Sequence, residues 1–266
     1  MTHTVAVIIP THNRRERLAL AIASVLEQTR PADEIIVIDD GSSDDSSALV
    51  KNTYPMITLI SQKNQGVSAA RNTGINHALA RGRGHDWIAL LDDDDLWKPE
   101  KLAKQLSAIN ANPNHKICHT QEQWIRNNKP VNQPRKYQKK GGHIFNDCLP
   151  LCAIAPSAVL IHRDLFQEHG LFDTNLPACE DYDLWLRLCA QHPVLLVDEV
   201  LTIKHGGHPD QLSTTIWGLD RFRIQALKKI LAQSILSPDQ KKAAQAMLVE
   251  KQAILDKGAK KRQTRE

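Results

Sequence analysis

Four consecutive aspartates, Asp92 to Asp95, follow the apolar run WIALL. Like charges this close repel one another and raise each other's pKa values unless a cation neutralises them. Oxygen ligands with room left for water suit Mg²⁺ or Mn²⁺, which complete their coordination with substrate phosphates. The run therefore predicts a divalent metal beside a phosphate-bearing substrate. The alternative is structural, because acidic residues favour helix N-termini and Asp95 could cap the helix that Pro99 and Glu100 begin.

A second carboxylate pair, Asp39 and Asp40, stands between the apolar run EIIVI and a turn that starts at Gly41. In nucleotide-binding α/β folds, acidic groups at such strand ends accept hydrogen bonds from the ribose. Turn and cap formation explains Gly41, Ser42 and Ser43 equally well without a ligand. Both interpretations stay open at this point.

The third candidate pair is Glu180 and Asp181, at the start of the segment EDYDLWLRLC. Leu184, Trp185 and Leu188 recur there at helical spacing, so the pair falls in the first turn of an amphipathic helix. A rigid helix would aim a carboxylate outward as a general base that deprotonates a hydroxyl. Complementing the helix dipole would be sufficient reason for the same two residues.

The elements that must position these groups alternate between apolar strands and helices. Strands are predicted at 5–9, 34–40, 57–61 and 87–95, with helices between them. Such alternation is typical of an α/β, doubly wound, mainly parallel sheet flanked by helices. Ligands bind these sheets at the carboxyl ends of the strands, where the aspartates lie.

The rest of the chain continues as mixed α/β structure. We predict a helix over 99–110, a mobile basic loop over 126–142, a strand at 158–162, a helix from 180 and extended chain from 194 to 205. We divide the chain into a main α/β domain at 1–217, with halves at about 1–112 and about 113–217. Residues 218–266 form a helical C-terminal extension.

Composition indicates an ordinary globular protein, with 266 residues, 41% of them hydrophobic and 24% charged. No apolar run reaches the 18 residues that a membrane-spanning helix needs, and the N-terminus does not resemble a signal peptide. We therefore expect a cytoplasmic protein. Its five cysteines lack a CxxC pair, so reduced thiols are expected rather than disulfides or a thiolate zinc site.

The C-terminal extension is basic, with 12 lysines and arginines against 5 acidic residues, whereas the rest has 22 against 25. Ile224, Leu227, Ile230 and Leu231 recur at helical spacing, which fits packing on residues 1–217 or peripheral contact with an acidic membrane surface. Beyond Lys257 the chain is too polar to pack, and we expect disorder. Nucleic acid is not expected as a partner.

Taken together, six motifs resemble family 2 inverting glycosyltransferases with the GT-A fold, over about residues 4–215. The motifs are VIIPTHNR, IIVIDDGSSD, NQGVSAARNTGI, LLDDDDLWKPEKL, the pair GLFD and EDYDLWLRL, and GGHPDQLS. They occur in the family's order and spacing. The resemblance implies that a nucleotide-sugar is bound by Pro10, Thr11, Asn13, Asp39, Asp40, Arg71, Asp92 and Asp93.

The resemblance makes 1–217 the catalytic domain, with its nucleotide half at about 1–112 and its acceptor half at about 113–217. It also implies roles in metal binding and catalysis. Asp94 would bind a divalent metal, Mn²⁺ or Mg²⁺, with Asp92 and with His208 from the GGHPDQLS segment, or with His205 three residues before it. Asp181 would be the base, with Glu180 beside it. The QxxRW signature of processive membrane synthases is absent. We therefore expect one sugar to be moved per visit, with inversion, from a nucleotide-diphospho-sugar to a sugar or lipid-linked hydroxyl, in cell-surface polysaccharide or glycolipid biosynthesis.

Two other functions use carboxylates and a metal on a parallel sheet. One is nucleotidyl or phosphoryl transfer, and the other is a receiver-like signalling module that binds Mg²⁺. The chain has neither the GxxxxGK[ST] loop nor the GxGxxG turn of many nucleotide-binding proteins. Its length and the acidic helix start at Glu180 count against a receiver-like module.

Overall fold

A computed structural model of the chain describes residues 3–80, 84–127, 129–207 and 216–263. The strands are β1 (Val5–Thr11), β2 (Glu34–Asp39), β3 (Thr58–Ser61), β4 (Trp87–Leu90), β5 (Leu96–Trp97), β6 (Ile117–Arg126), β7 (Lys129–Val131), β8 (Val159–His162) and β9 (Val194–Gly206). The helices are α1 (Arg15–Leu26), α2 (Ser46–Thr53), α3 (Val67–Ala80), α4 (Lys101–Ala111), α5 (Phe145–Cys148), α6 (Arg163–His169), α7 (Glu180–Cys189), α8 (Asp220–Ala232) and α9 (Pro238–Gln263).

The nine strands of the described residues form one sheet in the order β3-β2-β1-β4-β8-β6-β9-β5, and β7 pairs with β6. The pairs β3-β2, β2-β1, β1-β4 and β6-β9 are parallel, while β8, β5 and β7 run antiparallel to their neighbours. Six of these nine strands thus point the same way. The predicted mainly parallel α/β sheet is confirmed, and the two predicted halves of the catalytic domain share it.

Both faces of the sheet are covered, as a doubly wound fold requires. Successive side chains of a strand point to opposite faces, so the buried run of β1 supplies two cores at once. Ala6 and Ile8 belong to one core, and Val5, Val7 and Ile9 belong to the other. This explains why the run shows no alternation of apolar and polar residues.

Helix α3 packs unusually close to β1 through Gly74. A Cβ atom at this position would lie 2.5 Å from Cγ2 of Ile8, well inside van der Waals contact. The missing side chain therefore lets the helix approach the sheet. This contact fixes α3, and with it Arg71, relative to the carboxyl end of β1.

Residues 126–142 differ from the predicted mobile loop. The segment includes the end of β6, strand β7 and a 3₁₀ turn at Arg135–Tyr137. Lys139, which looked like part of a solvated basic run, is buried and lies 3.2 Å from Glu122. Its ammonium also donates a hydrogen bond to the carbonyl of Ala153 at 3.0 Å. The segment is held by partners that are distant in the sequence, and local composition does not show them.

The C-terminal extension packs on the catalytic domain. The predicted stripe of α8 is directed inward, and Ile224, Leu227 and Ile230 are all buried. These residues are therefore not available for membrane contact, and no described helix is long and apolar enough to cross a bilayer. Disorder was predicted beyond Lys257, but α9 continues to Gln263.

Lys101, the first residue of α4, is a buried lysine that should make the stability of the protein depend on pH. Its side chain is fully buried, with the ammonium 2.8 Å from Oε1 of Gln105 and 4.0 Å from the ring centroid of Trp97. Burial lowers its pKa from the usual 10.5 to about 7. Between these two values the unfolded chain binds more protons than the folded one, so this group makes stability rise with pH.

The free energy of unfolding should increase between pH 7 and pH 9, and we expect this increase to be about 2 kcal/mol smaller in Lys101→Met than in wild type. Urea unfolding of both proteins at both pH values measures this difference. The matched control is Lys104→Met on the same helix, whose side chain is 39% exposed. An unchanged pH dependence in Lys101→Met would show that the buried lysine keeps an ordinary pKa.

Candidate active site

A cleft of about 680 Å³ opens at the carboxyl ends of the parallel strands. Its walls come from the loops after β1 and β4, the start of α3, the first turn of α7 and the end of β9. The predicted binding and catalytic residues that line it are Pro10, Thr11, Asn13, Asp40, Arg71, Asp92, Asp93, Asp94, Glu180 and Asp181. The structure thus brings most of the predicted site residues to one cavity.

The loop after β1 contacts the aspartate run directly. The hydroxyl of Thr11 donates a hydrogen bond to Asp93 at 2.8 Å. Arg14 reaches the same carboxylate at 2.9 Å and Asp94 at 3.1 Å. Asn13 has a positive φ of 53° and accepts a hydrogen bond from the backbone N–H of Ser43 at 2.7 Å. Two strand-end loops are therefore tied together beside the carboxylates.

Asp95 does not cap helix α4, as the sequence allowed, but links two other segments of the chain. Its carboxylate accepts hydrogen bonds from the hydroxyl of Ser157 at 2.6 Å and from the backbone N–H of His205 at 3.0 Å. It thereby fixes the end of β9 against the loop after β4. The same stretch of β9 carries Lys204 into the cleft.

The aspartates of the run differ in their electrostatic environment. Burial and the neighbouring Asp94 outweigh Arg14 and raise the pKa of Asp93 to about 6. Burial also raises the pKa of Asp95, although the charge of Lys204 opposes this. For Asp92 burial acts in the same direction, but Arg71 and Lys204 outweigh it and lower its pKa. The electrostatic repulsion that the sequence predicted is therefore outweighed by basic neighbours at Asp92, whereas it still raises the pKa of Asp93.

Arg71 connects the two acidic sides of the cleft. One guanidinium nitrogen lies 2.6 Å from Asp92 and another 2.7 Å from Glu180. The Arg71 side chain is almost completely buried, and its face lies over the ring of Phe172 at 5.2 Å. Arg71 thus holds the first turn of α7 at a fixed position relative to the aspartate run. Burial and the charge of Asp181 raise the pKa of Glu180, while Arg71 lowers it.

Asp181 is more exposed than Glu180 and lines the cleft. One oxygen accepts a hydrogen bond from the backbone N–H of Tyr182 at 2.6 Å, and the other accepts one from the thiol of Cys152 at 2.9 Å. Burial and the charge of Asp181 raise the pKa of Cys152 well above its usual value, so the thiol keeps the proton that it donates. Cys179, just before the helix, has a left-handed backbone with φ of 62°.

Asp39 and Asp40 mainly hold the loops around the cleft. Asp39 accepts hydrogen bonds from the backbone N–H of Ser42 at 2.9 Å and from the hydroxyl of Ser47. Asp40 accepts a hydrogen bond from the backbone N–H of Gly66 at 2.8 Å. It accepts two further hydrogen bonds from other residues of the loop between β3 and α3. The turn-forming interpretation explains these contacts, and Asp39 is outside the lining of the cleft.

Some residues of the site were missed, and one cannot be placed. His208 lies outside the described residues. Arg14 belongs to the VIIPTHNR motif, but only its contacts with the aspartates show a role in the cleft. Lys204 gives no signal in the sequence, since it lies at the end of a long strand like many solvent-exposed lysines. The charges of Asp95, Glu122 and Asp92 outweigh its burial and raise its pKa.

Comparisons with known proteins identify the family of the chain. A model of the family described as Glycosyl transferase family 2 matches residues 6–170. An uncharacterized glycosyltransferase of Rickettsia felis is 36% identical over 206 residues, which are 74% of this chain and 32% of that protein. The chain therefore spans about a third of that relative's length.

Two further proteins extend the comparison. WfgD of Escherichia coli, a UDP-Glc:alpha-D-GlcNAc-diphosphoundecaprenol beta-1,3-glucosyltransferase, is 30% identical over 198 residues, or 74% of each chain. The structure of the mannosyltransferase PcManGT from Pyrobaculum calidifontis, in complex with GDP-Man and Mn²⁺, matches with a TM-score of 0.65. That match has 18% identity and covers 97% of this chain and 80% of the other, so it supports the expected GT-A fold. Because the family model matches residues 6–170, which are more than half of the sequence, the chain belongs to glycosyl transferase family 2.

Proposed function

We propose that this protein moves one sugar from a nucleotide-diphospho-sugar to a hydroxyl acceptor, with inversion at the anomeric carbon. The observation that carries the proposal is the arrangement of two acidic groups on one cleft. The run from Asp92 to Asp95 lines one wall, and Asp181 on the first turn of α7 lines another. Arg71, bound to both Asp92 and Glu180, keeps the two walls in register.

The donor is proposed to lie along the loops after β1 and β4. Thr11, Asn13 and Arg14 form this wall, and the guanidinium of Arg71 adds a positive charge. The exposed part of the wall offers carboxylate oxygens, which are the ligands that Mg²⁺ and Mn²⁺ prefer. The Mn²⁺ bound in PcManGT supports the use of a divalent metal, and we propose that Asp94 and Asp92 hold it.

When bound, the ion would neutralise the diphosphate as it leaves. The chain's own residues have separate tasks in this step. Arg14 and Arg71 keep the aspartate run oriented, because each donates to carboxylates of that run. Thr11 fixes the carboxylate of Asp93 from the other side. The wall is therefore preorganised before the donor arrives, which lowers the cost of stabilising the new charge.

Asp181 is proposed as the base that takes the proton of the acceptor hydroxyl. Its carboxylate stands at the start of a helix packed in the core and is held by Tyr182 and Cys152. An ordered carboxylate within reach of the acceptor is the geometry that general-base catalysis needs. Direct displacement forms no covalent intermediate, so Cys152 and Cys179 need no nucleophilic role.

The acceptor is proposed to be a sugar or lipid-linked hydroxyl in polysaccharide or glycolipid synthesis, at the cytoplasmic face of a membrane. The relative WfgD acts on a GlcNAc-diphosphoundecaprenol. On this chain, Leu219 and Arg223 line the same cleft as Asp181. An apolar side chain beside a guanidinium suits an acceptor that combines a lipid with phosphate. Nucleotidyl or phosphoryl transfer is the second candidate function, to be considered if the protein transfers no sugar from any donor tested.

The experiment is a panel of UDP-, GDP- and dTDP-sugars offered to the purified protein with Mn²⁺, with Mg²⁺ and with a chelator. We expect one class of donor to be hydrolysed slowly, or transferred to an acceptor, only when a metal is present. The anomeric configuration of the product, determined by NMR, tests inversion. Equal turnover in the presence of the chelator would contradict the dependence on a metal. Release of sugar 1-phosphate, with the nucleoside monophosphate passed to water or an acceptor, would favour nucleotidyl transfer.

Cys152 provides a test of how Asp181 is positioned. Cys152→Ala removes the thiol donor, and we expect kcat to fall roughly fivefold to tenfold because a hydrogen bond is worth about 1 kcal/mol. The KM for the donor should not change. Cys152→Ser is the matched control, because its hydroxyl can donate in place of the thiol and should restore most of kcat. Equal activity in both variants would show that the thiol only fills space.

A further inference from the structure

A cluster of three potential metal ligands lies away from the cleft, where the end of α6 meets the turn after α7. Glu168 and His169 end α6, and His192 precedes β9. The Nε2 atoms of the two histidines are 2.9 Å apart, and one oxygen of Glu168 lies 3.6 Å and 3.7 Å from them. Among the described residues, this is the one group of three His, Cys, Asp or Glu side chains with ligand atoms this close together.

The geometry of these three atoms matches the bond lengths of a metal ion. From the three distances, a point equidistant from the atoms lies about 2.0 Å from each, and zinc bonds to imidazole nitrogen and carboxylate oxygen are about 2.0–2.2 Å long. No atom has to move by more than a few tenths of an ångström. Three protein ligands leave a fourth position for water.

The surroundings of the cluster also suit a cation. The side chains of His169 and His192 are largely enclosed, with exposed fractions of 5% and 20%, and each can offer the lone pair of Nε2 to a cation when its proton sits on Nδ1. Two cations lie nearby, but each already has an anionic partner. Lys116 pairs with Asp164 at 3.0 Å, and Arg187 pairs with Asp183 at 3.0 Å.

We propose that Glu168, His169 and His192 bind a zinc-class divalent ion. Imidazole ligands favour Zn²⁺ and its neighbours Ni²⁺ and Cu²⁺ over Mg²⁺, which prefers oxygen ligands. The site is therefore chemically distinct from the carboxylate wall of the cleft. The ion joins the end of α6 to the turn that follows α7, and the first turn of α7 carries Glu180 and Asp181. It stabilises the helix that positions the proposed base without touching the substrate.

The test is a titration of untagged, metal-free protein with Zn²⁺, followed by calorimetry and by thermal unfolding. We expect one tight site and a rise in Tm of several degrees, because an ion that binds only the folded state stabilises it. Mg²⁺ at the same concentration should give no such rise in Asp94→Asn, in which the metal wall of the cleft is altered. His192→Gln should weaken the Zn²⁺ site by roughly 100-fold, at least as much as the loss of an outer-shell partner.

Two controls separate this site from other zinc binding. His143→Gln removes an exposed histidine outside the cluster and should leave the affinity unchanged. Asp94→Asn alters the proposed catalytic metal wall and should also leave it unchanged. Co²⁺ in place of Zn²⁺ should give the intense visible absorption of a four-coordinate site, and Glu168→Gln should reduce it. Equal Zn²⁺ affinity in His192→Gln and wild type, or no binding in wild type, overturns the proposal.

Discussion

Replacing Asp181 with asparagine is expected to lower turnover by roughly 100-fold or more, the usual size of a lost general base. The amide keeps the shape of the side chain and can still accept from the backbone N–H of Tyr182. It loses the basicity that removes the acceptor's proton. Donor binding should remain, because the loops after β1 and β4 and the contacts of Arg71 are unchanged. Steady-state kinetics and calorimetry with the nucleoside diphosphate measure the two effects separately.

Two variants make this result specific. Asp256→Asn changes an exposed aspartate on α9 and should leave both measurements at wild-type values. Glu180→Gln removes a charge bound to Arg71, so we expect it to weaken donor binding as well as turnover. Turnover of Asp181→Asn within a few-fold of wild type would contradict the assignment. Glu180 would then be the next candidate for the base.

The second large effect is expected for the metal wall. Asp94→Asn should lower the Mn²⁺-dependent affinity for the nucleoside diphosphate by roughly 100-fold or more, since losing a direct ligand costs at least as much as losing an outer-shell partner. Without the ion, nothing bridges the carboxylates of this wall to the negatively charged diphosphate. Calorimetry of the diphosphate with Mn²⁺ and with a chelator measures this loss.

Asp93→Asn is the matched comparison for this variant. It removes the same single charge from the neighbouring position, so general electrostatics change equally. Asp93 is buried and its carboxylate is already bound by Thr11 and Arg14, so we expect the dependence on Mn²⁺ to persist. If Asp94→Asn bound the diphosphate as tightly as wild type with Mn²⁺, the metal would have to be held elsewhere.

The different results expected for Asp94→Asn and Asp93→Asn follow from the different contacts of the aspartates, which their spacing in the sequence does not show. The four residues are adjacent in sequence, but their contacts go in different directions. Asp92 faces Arg71, Asp93 faces Thr11 and Arg14, and Asp95 holds Ser157 and the backbone of His205. Sequence could therefore predict an acidic wall, whereas the roles within it follow from the three-dimensional neighbours of each carboxylate.

The amino-acid sequence by itself determined the parallel half of the sheet and the edge on which the site lies. The apolar runs that form β1, β2 and β4 are local signals, and a parallel sheet places the polar residues that follow them at one edge. The helix start at Glu180 was equally visible from its periodicity. These features depend on residues close together in the chain, where pattern and chemistry can be recognised without knowing the neighbours in space.

Only the tertiary structure decided which distant groups meet. Arg71 and Glu180 are 109 positions apart, and Cys152 and Asp181 come together from a loop and a helix. β9 lies between β6 and β5, and this order delivers Lys204 to the cleft. Strand order and register are set by packing over the whole sheet, so no local pattern encodes these encounters. For the same reason, the pairing of His169 with His192 could not be predicted from a chain in which the two are simply separate histidines.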